Sequence, residues 1–261
     1  MDTQQQKQLN ILLIGETCED GYIYGTVDRI SPEAPIPVLN YERIETSFGM
    51  SANVKRNLES LGISVNHITN KNLIKKTRIV HSGSNQQMLR IDEDDFVDPI
   101  KPSEVRSAFL HLSYDAIIVS DYDKGFLTIE DLKVICKNFN GPVFIDTKKR
   151  NLFTEPNVIF KINQKEYNNL ITKPDPKHLI ITRGSLGVEY CDSIYPTNQV
   201  KVFDVVGAGD TFLAAFSYAF LNYKNIDNRI ESAINFANKA AAISVQHYGC
   251  YTLTQEDIRS I

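Results

Sequence analysis

The chain has 261 residues and a formal net charge of −4. That is long enough for one sizeable domain with a buried core, and too acidic to suggest a nucleic-acid or membrane-surface partner. Cys18, Cys136, Cys191 and Cys250 form no CxxC pair, the five histidines do not cluster, and no apolar run approaches membrane-spanning length. With a polar, Gln-rich start (Met1 to Asn10) unlike a signal peptide, the expectation is a cytoplasmic protein with free thiols.

Ile11-Leu12-Leu13-Ile14-Gly15 is a continuous apolar run closed by glycine, which predicts a strand buried on both faces. Acids follow it at once, ending in Asp20, at the edge where open α/β sheets bind ligands. Asp20 reads equally well as a ligand for a hydroxyl and as a solvated loop acid. From Tyr22 to Ser47 the pattern is β-like, and Pro32, Pro35 and Pro37 forbid a helix. This stretch predicts a ribbon that leaves the main sheet and returns. Phe48 to Asn53 opens a helix that ends at Gly62. Ser64 to Thr69 predicts another strand, yet only Asn70 to Lys76 separates it from β-like residues at Thr77 to Val80. That connection is too short for a parallel crossover. Gln86 to Asp92 continues the β-pattern, and Asp92 to Asp95 reads as a solvated turn rather than a metal site.

Beyond Ala116, strands and helices alternate, the pattern of a parallel sheet covered on both faces. Ala116 to Asp121 is a strand with Lys124 just past its end, and Pro142 to Asp146 is another with Lys148 just past its own. A lysine there can hold an anion as a point charge or be an ordinary surface lysine. Val158 to Asn163 leads to Glu166, and Leu179 to Thr182 leads to a turn with Gly184 and Gly187. Gln199 to Phe203 predicts a strand feeding Asp204-Val205-Val206-Gly207-Ala208-Gly209-Asp210-Thr211-Phe212. Phe212, Phe216, Ala219 and Phe220 then recur at helical spacing. Glycines at that junction leave the first helical amides pointing outward as an anion site. A plain turn and helix cap fits these residues too. Asp210 would repel an anion there, unless the site must also take a proton from an attacking hydroxyl. That combination is phosphoryl-transfer chemistry. Arg229 to Gln246 closes the series as an amphipathic helix.

The Asp-x-x-Gly-Ala-Gly-Asp-Thr-Phe stretch is similar to the C-terminal signature of the ribokinase-like (PfkB) sugar kinases. The resemblance runs, with one internal deletion, over roughly Ile11 to Tyr251. It implies a single three-layer α/β/α domain over residues 1–261 with a mainly parallel central sheet. A small β-lid at about 22–47 and 77–92 goes with it. The ribbon is more discriminating. Tyr22, Tyr24, Gly25, the run Arg29-Ile30-Ser31-Pro32-Glu33-Ala34-Pro35, Pro37 and Val38 resemble the bacterial heptose 7-phosphate kinases. Asn85-Gln86-Gln87, Arg90 and Asp92 do so as well, as do Ser120-Asp121-Tyr122 and Lys124-Gly125.

The resemblance implies an ATP-dependent kinase acting on D-glycero-D-manno-heptose 7-phosphate at its anomeric hydroxyl. Asp210 would be the base, and Gly207, Ala208 and Gly209 the anion hole. Asp20, Gly49, Asn53 and Asp121 would bind the substrate, together with Lys124 and Lys148, which suit a phosphorylated end. Thr182, Gly184, Gly187, Asn163 and Asn238 would hold the nucleotide. Asn163 and Glu166 would organise Mg2+ largely through water, and the loop Tyr248-Gly249-Cys250 lies where many members bind a monovalent cation such as K+. A homodimer through the lid, and no nucleotidyltransferase domain after the kinase, are further expectations. Met50 departs from a glycine usual in relatives, Glu16 from an aspartate, and the 62–77 region is trimmed. These departures keep open another acceptor sugar. A non-catalytic nucleotide- or sugar-phosphate-binding relative is a third reading, which retention of Asp210 argues against.

Overall fold

The computed structural model describes residues 8–111, 113–224 and 226–261, so most of the polar start, Met1 to Lys7, lies outside the described residues. The chain runs β1 (Asn10–Gly15), β2 (Thr17–Ile30), β3 (Pro37–Met50), α1 (Ser51–Ser60), β4 (Ser64–Ile68), β5 (Ile74–His81) and β6 (Gln86–Glu93). It continues with α2 (Pro102–His111), β7 (Ala116–Asp121), α3 (Ile129–Lys137), β8 (Val143–Thr147), β9 (Val158–Asn163) and α4 (Gln164–Asn168). It closes with β10 (Leu179–Thr182), β11 (Val188–Tyr190), β12 (Ser193–Tyr195), α5 (Ala208–Asn222), α6 (Arg229–Ser244) and α7 (Gln255–Ser260).

An eight-stranded sheet has the order β12-β11-β10-β9-β8-β7-β1-β4. The pairs from β4 to β10 are parallel, and β11 and β12 add an antiparallel edge. The continuous apolar strands follow from burial on both faces. In β1, Ile11 and Leu13 join one core with Val54, Phe212, Phe216, Ala233 and Ala237 of α1, α5 and α6. Leu12 and Ile14 join the opposite core with Leu132, Ile135 and Cys136 of α3. The architecture is therefore three layers, α/β/α, as the alternation of elements implied.

Strand order reverses around β1, which has β4 on one side and β7 on the other. Ligands bind open sheets of this kind outside the carboxyl ends of the strands at that reversal. Glu16, directly after β1, ties the two ends together. Its buried carboxylate accepts the Tyr122 amide at 2.7 Å and the Lys124 amide at 3.0 Å. Burial, and then the nearby Asp121 carboxylate, raise its pKa.

A second sheet, β3-β2-β5-β6, stands over this edge. β2 and β3 form the long ribbon read from the sequence, and the prolines fall at its tip, Ser31 to Ile36, or at the first residue of β3. The short link between β4 and β5 is secured by the Asn70 side chain, which accepts from the Thr17 amide at 2.7 Å and donates to the Thr17 carbonyl at 3.1 Å.

Two expectations need correction. Gln199 to Phe203 is not a strand: the Phe203 amide bonds the Val245 carbonyl at the end of α6 (2.8 Å), not a sheet neighbour. The acid run is not merely a solvated turn either. Asp92 and Asp95 meet Lys76, Arg90 and Lys124 in an ion-pair network.

At Gly15 a Cβ would lie 2.0 Å from the Ser120 carbonyl oxygen of β7. The β1–β7 approach therefore requires glycine. Gly15→Ala is expected to cost about 2 kcal/mol by overpacking, roughly 4–8 °C in Tm. A variant that melts with the parent would contradict this account of the strand contact.

Candidate active site

α5 begins at Gly207, whose φ of 77° puts it in the left-handed region that favours glycine. Space demands glycine here as well, since a Cβ would come 2.6 Å from the Asn53 amide nitrogen. Asp210, in the first turn of α5, is buried. Its carboxylate accepts from the Tyr122 hydroxyl at 2.9 Å and from Asn53 Nδ2 at 3.2 Å. Asn53 also reaches the Gly207 carbonyl at 3.4 Å, so α1 and the glycine turn share one amide. Burial and then the Asp146 carboxylate push Asp210 up to about 6, while Tyr122, Asn53 and Lys161 pull the other way. A carboxyl poised there can exist ionised near neutrality and accept a proton.

Two cavities meet at this turn. One, of about 390 Å³, lies between the lid and the main sheet and is lined by Asp20, Met50, Arg78, Tyr122, Gly207 and Asp210. Lys76, Arg90, Lys124 and Lys148 also line it. The other, of about 210 Å³, lies on the far side of the turn and includes Thr182, Gly184, Gly187, Ala208, Gly209 and Asn238. Its walls are largely apolar, with Val188, Val200, Val202, Phe212 and Val245. A charged cleft and an apolar slot thus share the amino end of one helix.

The residues singled out from the sequence divide accordingly. Asp20 lies in the cleft, its Oδ1 accepting from Arg78 Nη1 at 2.6 Å. A Cβ at Gly49 would come 2.1 Å from Asp20 Oδ2, so this glycine makes room for the carboxylate. Lys148 stands over the Tyr122 ring, 4.2 Å from its centre. Lys124 is ion-paired with Asp95. Asp121 is not brought into the cleft. It is buried beneath it, accepting from Thr147 Oγ1 at 2.5 Å and from the Asp123 amide at 3.0 Å. Asn163 and Glu166 form a reciprocal cap on α4, with the Glu166 amide donating to Asn163 Oδ1 (2.9 Å) and the Asn163 amide to Glu166 Oε2 (2.8 Å). Burial, then Asp146, raise the Glu166 pKa. Asn238 lines the apolar slot while its amide donates to the Tyr195 carbonyl at 2.9 Å, joining α6 to β12.

Sequence reading missed three members. Tyr122 was seen only as part of a motif, and its bond to Asp210 spans elements distant in the chain. Asp146 and Lys161 looked like strand residues, yet they form an ion pair at 2.6 Å against the glycine turn, with Lys161 buried and Asp146 half-buried. A charged residue inside the apolar run Val158 to Asn163 was the available signal for Lys161. Met50 is more than a replaced glycine. It keeps a φ of 56° and ψ of −131°, a conformation costly for any side chain, while lining the cleft.

The pfkB family carbohydrate kinase profile matches residues 157–257. Among curated relatives, the "Bifunctional protein HldE" of Nitratiruptor sp. is 30% identical over 95% of this chain and 64% of its own length. That of Aliarcobacter butzleri is 32% identical over 97% of this chain and 64% of its own. Over residues 157–257 the chain is thus similar to the pfkB family carbohydrate kinases. By class it is a phosphotransferase with a sugar hydroxyl as acceptor. It spans just under two thirds of the length of those curated relatives. The first alignment runs over 300 positions, more than the 261 residues of this chain, so the relative carries insertions that this kinase lacks.

Solved structures agree on the fold. Phosphofructokinase-2 from Escherichia coli, in complex with potassium, superposes with a TM-score of 0.71 at 15% identity, covering 97% of each chain. Arabidopsis thaliana ribokinase, complexed with ribose and ATP, gives 0.64 at 15% identity over 97% of this chain and 98% of its own.

The Tyr122 bond favours the ionised form of Asp210. In Tyr122→Phe the Asp210 pKa is expected to rise beyond about 6. The acid limb of kcat should then move to higher pH, so turnover falls more at pH 6 than at pH 8. A pH profile superimposable on the parent's would show that the phenol does not act on this carboxyl.

Proposed function

We propose that this kinase transfers the terminal phosphoryl group of ATP to a sugar that already carries a phosphate. Among such sugars D-glycero-D-manno-heptose 7-phosphate, at its anomeric hydroxyl, is the favoured acceptor. The observation that carries the reading is the meeting of an apolar slot and a cation-lined cleft at the Gly207–Asp210 turn. The slot suits a nucleotide base and the turn suits phosphates. The cleft combines hydroxyl ligands near Asp210 with Lys76, Arg90, Lys124 and Lys148 farther out, which suit a phosphate on the acceptor. The ribbon motif shared with heptose kinases narrows the sugar. Another phosphorylated sugar is the second reading, favoured by the Met50 side chain in the cleft.

In this mechanism Asp20 and Asn53 orient the acceptor. Asp210 takes the hydroxyl proton as the sugar oxygen bonds to phosphorus and the bond to the β-phosphate oxygen breaks, releasing ADP. The outward amides of Gly207, Ala208 and Gly209 hold the transferring oxygens. Positioning and charge stabilisation provide most of the rate. Asn163 and Glu166 would hold a divalent cation: Glu166 is a hard oxygen donor, and a dication beside it would oppose the burial and the Asp146 charge that disfavour its ionised form. Mg2+ bound there supplies positive charge against the triphosphate. The loop at Gly249 is braced by its own amide, which donates to Asp204 at 2.9 Å, and no step here depends on K+.

Heptose 7-phosphate should raise ADP release well above the no-sugar rate. Asp210→Asn should lower kcat by about 10²–10⁴. The same variant should melt higher than the parent at pH 8. The buried carboxyl has a folded pKa of about 6 against an ordinary 3.8, so it costs stability that grows as pH rises through that interval and is complete above about 6. Removing that cost is worth roughly 2–3 kcal/mol, more than the ~0.3–1 kcal/mol lost at the helix end. At pH 5 the gain should shrink. Turnover within a factor of a few of the parent would rule out Asp210 as the base. Activity with free hexoses but with no sugar phosphate would rule out the acceptor class.

A homodimer is the second proposal. The strand register places Ile23, Tyr41, Ile44, Leu89 and Ile91 on the lid face opposite Asp20 and Arg78. Tyr41, Ile44, Leu89 and Ile91 are exposed in the single chain. A second copy would cover this apolar face. Light scattering should give twice the chain mass at micromolar concentration, and Ile44→Glu should halve it. A parent that stays monomeric rejects the dimer.

A further inference from the structure

Lys161 enters β9 as a charge inside an otherwise apolar strand, and its whole side chain is buried. A buried lysine normally loses its proton. Burial does work against the Lys161 ammonium, but Asp146 first, then Asp210 and Glu166, hold its pKa above the ordinary value. The cation is therefore kept on purpose-built anions, and its position says why. Nζ lies 2.6 Å from Asp146 Oδ2. A Cβ built on Gly209 would fall 2.9 Å from the same nitrogen. The ammonium thus sits directly against the bare Cα of Gly209, and Gly209 itself lines the apolar slot. An ammonium has three N–H donors, and Asp146 takes only part of that capacity.

We infer that Lys161 is a catalytic residue of the phosphoryl-binding half of the site, its ammonium donating past Gly209 to an oxygen of the transferring phosphoryl group. Gly209 is then needed for access as well as for the turn, because any side chain there would fill the gap between the ammonium and the nucleotide. Asp146 is a positioning residue that holds Nζ at that gap and keeps it charged. The arrangement places a cation at the same helix start as the base, Asp210. As the bond to the β-phosphate oxygen breaks, charge builds on oxygens that a fixed, desolvated ammonium stabilises without reorganisation.

This inference rests on the kinase reading above but can fail separately from it. Lys161→Met is compared with the parent in two measurements. The first is the ratio of the dissociation constants for ADP and ATP, measured without any sugar. The second is kcat with the sugar phosphate. Loss of a charge-assisted bond to the terminal phosphoryl should lower the ADP-to-ATP ratio about 10- to 100-fold while ADP binding itself changes little. In kcat the expected loss is about 10²–10³. Lys161→Arg should recover part of the ratio. If Lys161→Met fails to fold, the double variant Lys161→Met with Asp146→Asn removes both charges together and is read in the same way.

A folded variant that keeps the parent's ADP-to-ATP ratio overturns the role for Lys161, whatever its turnover. A parent that phosphorylates none of the sugars, yet loses its ratio on substitution of Lys161, leaves Lys161 in place and rejects the acceptor assignment.

Discussion

A carboxylate taken out of water at the start of a helix is the constraint that the site is built around. Asp210 is buried, and desolvation alone would keep it protonated and useless as a base. Three side chains oppose that tendency, and each arrives from a different element. Tyr122 comes from the loop after β7, Asn53 from α1, and Lys161 from β9. None is near Asp210 in sequence. The parallel sheet brings them together, because successive strand ends and the helix that packs across them converge at one edge. The balance sets the carboxyl near neutrality, where it can both give up and regain a proton.

The same edge depends on tight approach. Gly15 lets β1 lie against Ser120, and Glu16 then reaches across to the Tyr122 and Lys124 amides. That tether fixes the loop carrying the Tyr122 hydroxyl, so a residue with no contact to Asp210 helps decide where its hydrogen bond falls. Gly207 and Gly209 meet Asn53 and Lys161 in the same manner. The glycines of this region are spaces for specific atoms of other elements, besides being turns.

Local pattern made much of this legible. Apolar runs ending in glycine or acids gave the strands, prolines ruled a helix out of the ribbon, and the glycine-rich junction marked the start of α5. What stayed hidden depends on pairs far apart in the chain. The Tyr122–Asp210 bond spans 88 residues, and the Lys161–Asp146 pair joins two strands whose adjacency is a property of the sheet. Asp121 was misplaced for a related reason. A polar residue at a strand end reads as a ligand, but Thr147 and the Asp123 amide take up its carboxylate from below. The strand expected at Gln199 to Phe203 failed because β-branched residues also suit an irregular wall of an apolar slot, where Val200 and Val202 lie.

The two halves of the site handle charge in opposite ways. Around Asp210 the groups are buried and rigid. Removing Lys161 there strands the Asp146 carboxylate without its partner, which is costly. On the lid side, Lys76, Arg90 and Lys124 meet Asp92 and Asp95, carboxylates roughly two-fifths exposed to water. Ion pairs of that kind contribute little individually, about 0–1 kcal/mol, because solvent screens them. A dianionic phosphate can therefore compete with these carboxylates at small cost, whereas it could not displace the pairing beneath Gly209. Weak pairing where an acceptor must enter and leave, and strong pairing where the reacting atoms must not move, follow from one difference: the carboxylates on the cleft side of the second sheet are partly open to water, and the main sheet is covered by helices on both faces.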